Sequence, residues 1–239
     1  MTTIGFLYPG YAAEDDYPFM QGLLPEDIEL KVVHTSVGVD AHEVEALLDL
    51  GASERLLAGA GELREAEVDA VMWACTSGSF VFGPRGARTQ VQEIAEALGV
   101  PASSTSIAFV DALDHLGFST VAVAATYPQE VSAHFQHFLE AAGIQVCSLV
   151  SHDIATAALA GELSEEGVLD LAKSNDALQA EVVLLPDTAM HTARLIVELE
   201  RALAKPVLTA NQVTVWKGLE LAGRHARNPE LGTLFGGGR

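Results

Sequence analysis

Cys75-Thr76-Ser77-Gly78-Ser79 is the stretch of this chain with the clearest chemical capacity. A thiol is followed at once by hydroxyls and a glycine, a run too small and polar to be good core material. It closes the apolar segment Val71-Met72-Trp73-Ala74, and Gly83-Pro84 then lead into a helical pattern from Arg85 to Leu98. A buried strand ending in a small-residue loop ahead of a helix is where open α/β sheets place their ligands. Thr76, Ser77 and Ser79 offer hydroxyls there, and Gly78 lets backbone N–H groups approach an anion. Such surroundings predict a Cys75 thiol of lowered pKa, fit to act as a nucleophile or a proton donor. The plainer alternative is a buried structural cysteine, the common fate of a free thiol.

The whole chain limits what that thiol can serve. With 239 residues, 49% hydrophobic and 19% charged, it has enough apolar material for a full core, as one large domain or two small ones. A net charge of −20 on only 13 Lys and Arg argues against a nucleic-acid partner. It also leaves any carboxylate site to be built from dipoles and hydroxyls. The opening residues carry no basic leader pattern, and no apolar run reaches membrane-spanning length, so a cytoplasmic protein without membrane contact is expected. The two cysteines, Cys75 and Cys147, form no disulfide framework, and Cys147 sits in a strand-like run as packing. No zinc-type or phosphate-loop pattern is present. His134 and His137 share a helical face but lack a third ligand, so no metal is expected.

The elements that must position Cys75 follow in order. Ile4–Tyr8 reads as a strand closed by Pro9-Gly10, and residues 11–26 as an irregular acidic loop, either a lid or interface or a solvated excursion. Ile28–His34 alternates as a strand, and residues 40–60 carry a helical apolar period. After the Cys75 strand and its helix, Pro101 opens a short strand, and a helix runs from about Ile107 to Leu116. Strands at Val121–Ala125, Val146–Val150, Val182–Leu185 and Pro206–Leu208 alternate with helices at Gln129–Ala142, Ser164–Leu178, Met190–Leu203 and Val213–Ala222. The glycine-rich tail is expected to fray.

The two halves of that alternation rhyme. Tyr8-Pro9 matches Tyr127-Pro128, Cys75-Thr76 matches Asp187-Thr188, and Val100-Pro101 matches Lys205-Pro206. This predicts two α/β lobes, 1–107 plus 210–239 and 108–209, each around a mainly parallel sheet, with the site between them. Cys75 and Asp187 would then approach a substrate from opposite sides. Asp187 is either a protonated acid beside an anionic substrate or a structural helix cap. His191 reads as first-turn decoration near that site, and Arg85 and Arg88 as balance for substrate or surface charge.

The runs Ala74–Phe80, Ala125-Thr126-Tyr127-Pro128, Leu184–Thr188 and Thr209-Ala210-Asn211-Gln212 with Trp216 resemble the aspartate/glutamate racemase superfamily. More narrowly, they resemble its maleate cis-trans isomerase and arylmalonate decarboxylase branch. That resemblance covers nearly the whole chain. It implies two pseudo-symmetric Rossmann-like lobes, an interlobe cleft and no cofactor. It further implies Cys75 as the reactive thiol, with Thr76, Ser77 and Tyr127 hydrogen-bonding a substrate carboxylate and Thr188, Pro9 and Asn211 added as substrate-binding positions. Two departures are specific to this chain: Asp187 stands where the isomerases usually have a second cysteine, and Ala12 where they have an asparagine. The decarboxylase instead carries its catalytic cysteine in the second lobe.

The resemblance implies a small dicarboxylate substrate, with Cys75, Asp187 and Tyr127 catalytic. The first reading is cis-trans isomerisation of a maleate-like diacid, in which the thiolate adds to the alkene and leaves after bond rotation. Decarboxylation of a substituted malonate, with Cys75 protonating the enediolate, is the alternative. A racemase and a non-catalytic acid binder stand behind these, and self-association is left open.

Overall fold

The computed structural model describes residues 1–175 and 177–236. Eight apolar runs form two parallel four-stranded sheets. β1 (Thr2–Pro9), β2 (Ile28–Thr35), β3 (Ala70–Trp73) and β4 (Ala102–Ser104) are ordered β2-β1-β3-β4. β5 (Thr120–Ala125), β6 (Gln145–Ser151), β7 (Val182–Leu185) and β8 (Val207–Thr209) are ordered β6-β5-β7-β8. The central strands β3 and β7 are buried along their whole length, as expected where helices cover both faces of a parallel sheet. The edge strand β2 instead alternates between buried and more open positions.

The first-half helices are α1 (Asp16–Gln21), α2 (Val44–Leu50), α3 (Ser53–Leu63), α4 (Ser77–Phe80), α5 (Gly83–Leu98) and α6 (Thr105–Leu116). Those of the second half are α7 (Gln129–Glu140), α8 (Ala157–Gly161), α9 (Glu165–Lys173), α10 (Ile196–Leu203), α11 (Ala210–Leu221) and α12 (Gly232–Phe235). The halves share one strand order, so the rhyming residues fall at equivalent places. Cys75 lies two residues past β3, and Asp187 two residues past β7. None of the helices among the described residues is long and apolar enough to cross a membrane.

Several elements depart from the sequence reading, each for a tertiary reason. The single helix expected over 40–60 is two, α2 and α3, because the chain turns at Gly51 to meet the α4 turn. A Cβ on Gly51 would overlap the carbonyl oxygen of Gly78, and the Gln90 amide donates to both the Gly51 and Gly78 carbonyls at 2.7 and 2.9 Å. The helix expected from Met190 begins only at Ile196. Before it, the N–H groups of Thr192 and Ala193 donate to the buried carboxylate of Asp16, so the backbone is satisfied without helical bonds.

Residues 11–26 are largely anchored and are no solvated excursion: Ala13, Asp16, Tyr17 and Met20 are buried. α1 fits between Asp15 and Gly22, which Pro18 permits because it falls in the first turn. The helix from Ser164 stops at Lys173, and the short α8 was not anticipated. The expected fraying concerns the glycine-rich tail, whose residues 237–239 lie outside the described residues.

Because Gly51 has no room for a methyl group, Gly51→Ala should destabilise the protein by about 1–3 kcal/mol, the usual cost of overpacking. Urea unfolding of the two proteins measures it; an unchanged midpoint would mean that the α2–α4 contact relaxes freely.

Candidate active site

The apolar strand β3 ends at Trp73, and the chain then makes a turn whose donors are aimed back at Cys75. α4 is a single helical turn, where a polar loop was expected. The Gly78 N–H donates to Cys75 Sγ at 3.3 Å, and Ser77 Oγ lies 3.8 Å from the same sulfur. Gly78 is required here for packing: a Cβ would stand 3.1 Å from the Trp73 ring and 3.2 Å from Sγ. Beneath, the hydroxyls of Ser79, Ser104 and Ser106 bond one another at 2.7–3.3 Å, holding α4 on β4 and α6.

Across the cleft, β7 delivers Asp187. Its Oδ1 accepts the Ala189 N–H at 2.9 Å and its Oδ2 accepts the Thr126 hydroxyl. The cap-like bond to Ala189 belongs to a local turn, because no helix starts there. The following Thr188 is fixed through its carbonyl, which accepts from Tyr8 Oη at 2.9 Å and Asn211 Nδ2 at 3.1 Å.

A cavity of about 230 Å³ lies between these strand ends. Cys75, Ser77, Asp187, Thr188 and Pro9 line it. Thr76, Tyr127 and Asn211 are packed behind the wall, fully or almost fully buried. Thr76 Oγ1 has no hydrogen-bond partner of normal geometry, an unusual state for a buried hydroxyl. Tyr127 Oη donates to the Pro186 carbonyl at 3.0 Å, and burial, reinforced by the charge of Asp187, raises its pKa well above the usual phenol value. It therefore stays a proton donor. Asn211 Nδ2 also donates to Asp16 at 2.9 Å, which makes it part of the scaffold beneath Thr188.

The expectation of a low thiol pKa is overturned. Burial outweighs the help of Gly78 and Ser77, and the charge of Asp187 adds to it, so the Cys75 thiol is pushed up to about 12. The sequence displayed the donors next to the sulfur but not the depth of its burial. Cys147 is half-buried on β6 and its thiol donates to the Val121 carbonyl at 3.2 Å, outside the cavity.

Two further cavity residues had no signal in the sequence. His42 stands on the loop between β2 and α2, 5% exposed, and its neighbours Ala41 and Glu43 read as an ordinary helix approach. Tyr11 borders the opening with its ring largely exposed and stacked on His34. His191 pairs with Asp15 at 2.8 Å and does not line the cavity. With Asp16 these two form a group close enough to consider for a cation, yet Asp16 already accepts from Thr192, Ala193 and Asn211. Arg85 and Arg88 also stand outside the cavity.

The thiol sign gives a direct expectation. A group of pKa about 12 is almost wholly protonated at neutral pH, so iodoacetamide labelling of Cys75 in the ligand-free protein should rise about tenfold per pH unit from pH 7 to 10. A plateau below pH 8, read by peptide mass spectrometry, would contradict the buried-thiol assignment.

Comparison with known proteins agrees with this arrangement. The family model for arylmalonate decarboxylase matches residues 35–235. The maleate isomerase of Alcaligenes faecalis is 28% identical over 183 residues, covering 74% of this chain and 72% of its own. The arylmalonate decarboxylase of Bordetella bronchiseptica is 28% identical over 163 residues, 67% of this chain and 68% of its own. A crystal structure of a liganded arylmalonate decarboxylase variant superposes with a TM-score of 0.87 at 25% identity, covering 99% of both chains. Two like-ordered parallel sheets with a cysteine-bearing cleft between them thus place this chain in the arylmalonate decarboxylase family, within the branch of the aspartate/glutamate racemase-like superfamily that includes the maleate isomerases.

Proposed function

We propose that this protein is a cofactor-independent, cytoplasmic enzyme that isomerises a small maleate-like cis diacid through Cys75. The observation that carries the reading is the position of the cavity's cysteine: Cys75 lines it from the end of β3, in the first half of the chain, beside Ser77. A cavity of about 230 Å³ is of a size for a small diacid. The lobe assignment, 1–107 plus 210–239 against 108–209, belongs to the same proposal, and the packing of α11 on β1, β3 and β4 supports it.

In this mechanism the Cys75 sulfur adds to one alkene carbon. The π electrons move to the neighbouring carbon and into its carboxylate, giving an enediolate. Ser77 is the hydroxyl that lines the cavity for that charge, with Thr76 and the protonated Tyr127 packed directly behind it. In a site this dry, one such donor is worth about 10²–10³ in rate. The resulting single bond rotates, and expulsion of sulfur leaves the trans product.

The apolar side of the cavity, Val37, Val39, Leu47, Leu50, Ala157 and Ala158, favours a second reading. Such a wall suits a departing CO₂, and hence decarboxylation of an alkyl-substituted malonate, with Cys75 as the proton donor.

Incubation with maleate and with methylmalonate, followed by ¹H NMR and intact mass, separates the two. Conversion of maleate to fumarate, with a covalent succinyl adduct that Cys75→Ser abolishes, is expected. Loss of CO₂ from the malonate with neither fumarate nor adduct would replace isomerisation by decarboxylation.

A further inference from the structure

The mechanism above leaves two needs unmet. A thiol held near pKa 12 requires a base before it can attack. A diacid entering beside Asp187 brings like charges together in a poorly solvated space. Among the described residues that line the cavity there is no lysine or arginine, and His42 is the one side chain able to become a cation.

Its setting is defined on both ring nitrogens. Nδ1 lies 2.7 Å from the carbonyl oxygen of Ile154, which can only accept, so Nδ1 carries a proton. Nε2 then faces Asp187 Oδ2 at 4.0 Å, both side chains being 4% exposed. The ring stands edge-on to Tyr127, with centroids 4.9 Å apart, and the His42 N–H donates to the Ala155 carbonyl at 2.7 Å. The whole loop is clasped from the far side, because Asp40 accepts from Ala157 and Ala158 at 2.9 and 3.1 Å. His42 is therefore held in place by the second half of the chain, with Nε2 left facing Asp187. The other titratable groups around the pair are Cys75 beyond β3, Tyr8 on β1 and Tyr127 beyond β5; Asp40 on its own loop is turned toward α8.

We propose that His42 and Asp187 act as one proton-holding pair, which accepts the proton of Cys75 and delivers it to the substrate carbon next to the new C–S bond. The inference rests on the isomerase reading of the site. Every atom balances within the cavity. The S–H bond breaks and its proton goes to the pair, while a sulfur electron pair forms the C–S bond. The enediolate then takes that proton to form a C–H bond. After rotation the pair removes a proton from this carbon, the C–H electrons rebuild the double bond, the C–S electrons return to sulfur, and the thiol is reprotonated. Nothing is oxidised or reduced, and no co-reactant is needed. Once it has taken the thiol proton the pair is neutral while the enediolate carries its added charge, whereas Asp187 without His42 would stay opposed to that charge.

The test has two arms. The first needs no turnover: NMR titration of the His42 imidazole in the wild-type protein and in Asp187→Asn, with folding checked by circular dichroism. Loss of the carboxylate 4.0 Å from Nε2 should move the His42 titration curve to lower pH. Equal midpoints, or a ring that titrates in neither protein, overturn the pair. The second arm uses His42→Asn, whose amide can still donate to the Ile154 carbonyl but cannot titrate. Its kcat on maleate should fall by about 10²–10³ and one limb of the pH–kcat profile should vanish, with KM changed by about threefold or less. Wild-type kcat with an unchanged profile overturns the proton role. If the wild-type protein turns over no diacid, the isomerase reading fails, and the pair is judged on the first arm alone.

Discussion

A buried carboxylate, Asp16, ties the cleft together. It lies on α1 in the first half of the chain, and burial raises its pKa, only partly offset by the Asn211 amide and the Thr192 and Ala193 N–H groups. Those partners come from the segment after β7 and from α11, so satisfying one acid joins three distant stretches. The same Asn211 and the Tyr8 hydroxyl hold the Thr188 carbonyl, one residue from Asp187. A buried acid without these donors would be strongly unfavourable, and that cost makes the placement of Asp187 opposite Cys75 specific.

The second constraint is desolvation. The protein carries a net charge of −20, yet no lysine or arginine lines its cavity among the described residues. Charge there is managed by hydroxyls, backbone N–H groups and one imidazole. Low solvation strengthens each of these dipoles for a developing enediolate, but it also keeps the thiol and the buried Tyr8 and Tyr127 protonated. Tyr8 and Tyr127 are thereby preserved as donors. The thiol is preserved in its unreactive form until a base acts on it.

The repeated architecture explains how the chemistry became asymmetric. Both sheets have one strand order, and each presents a residue at the same distance beyond its third strand in sequence. One lobe offers a soft nucleophile, and the other offers a carboxylate that accepts from Thr126 and Ala189 and faces His42. A common scaffold thus carries two different groups to one space, and the loops between strands supply what distinguishes them.

The sequence alone determined the strands, their duplicated order and the equivalent places of Cys75 and Asp187 just past β3 and β7. These are local or periodic properties: apolar runs of strand length, glycines after helices such as Gly99 and Gly117, and matching residue types at strand ends. Tertiary structure decided the rest. The break at Gly51 depends on the Gly78 carbonyl, and the late start of α10 on Asp16. The raised pKa of Cys75 depends on how deeply the folded chain buries it, although every donor beside it was legible in the sequence. His42 carries no signal of its own, because its neighbours Ile154 and Asp187 lie more than a hundred residues away along the chain. Periodicity reports which residues are buried; only the folded chain reports what they are buried against.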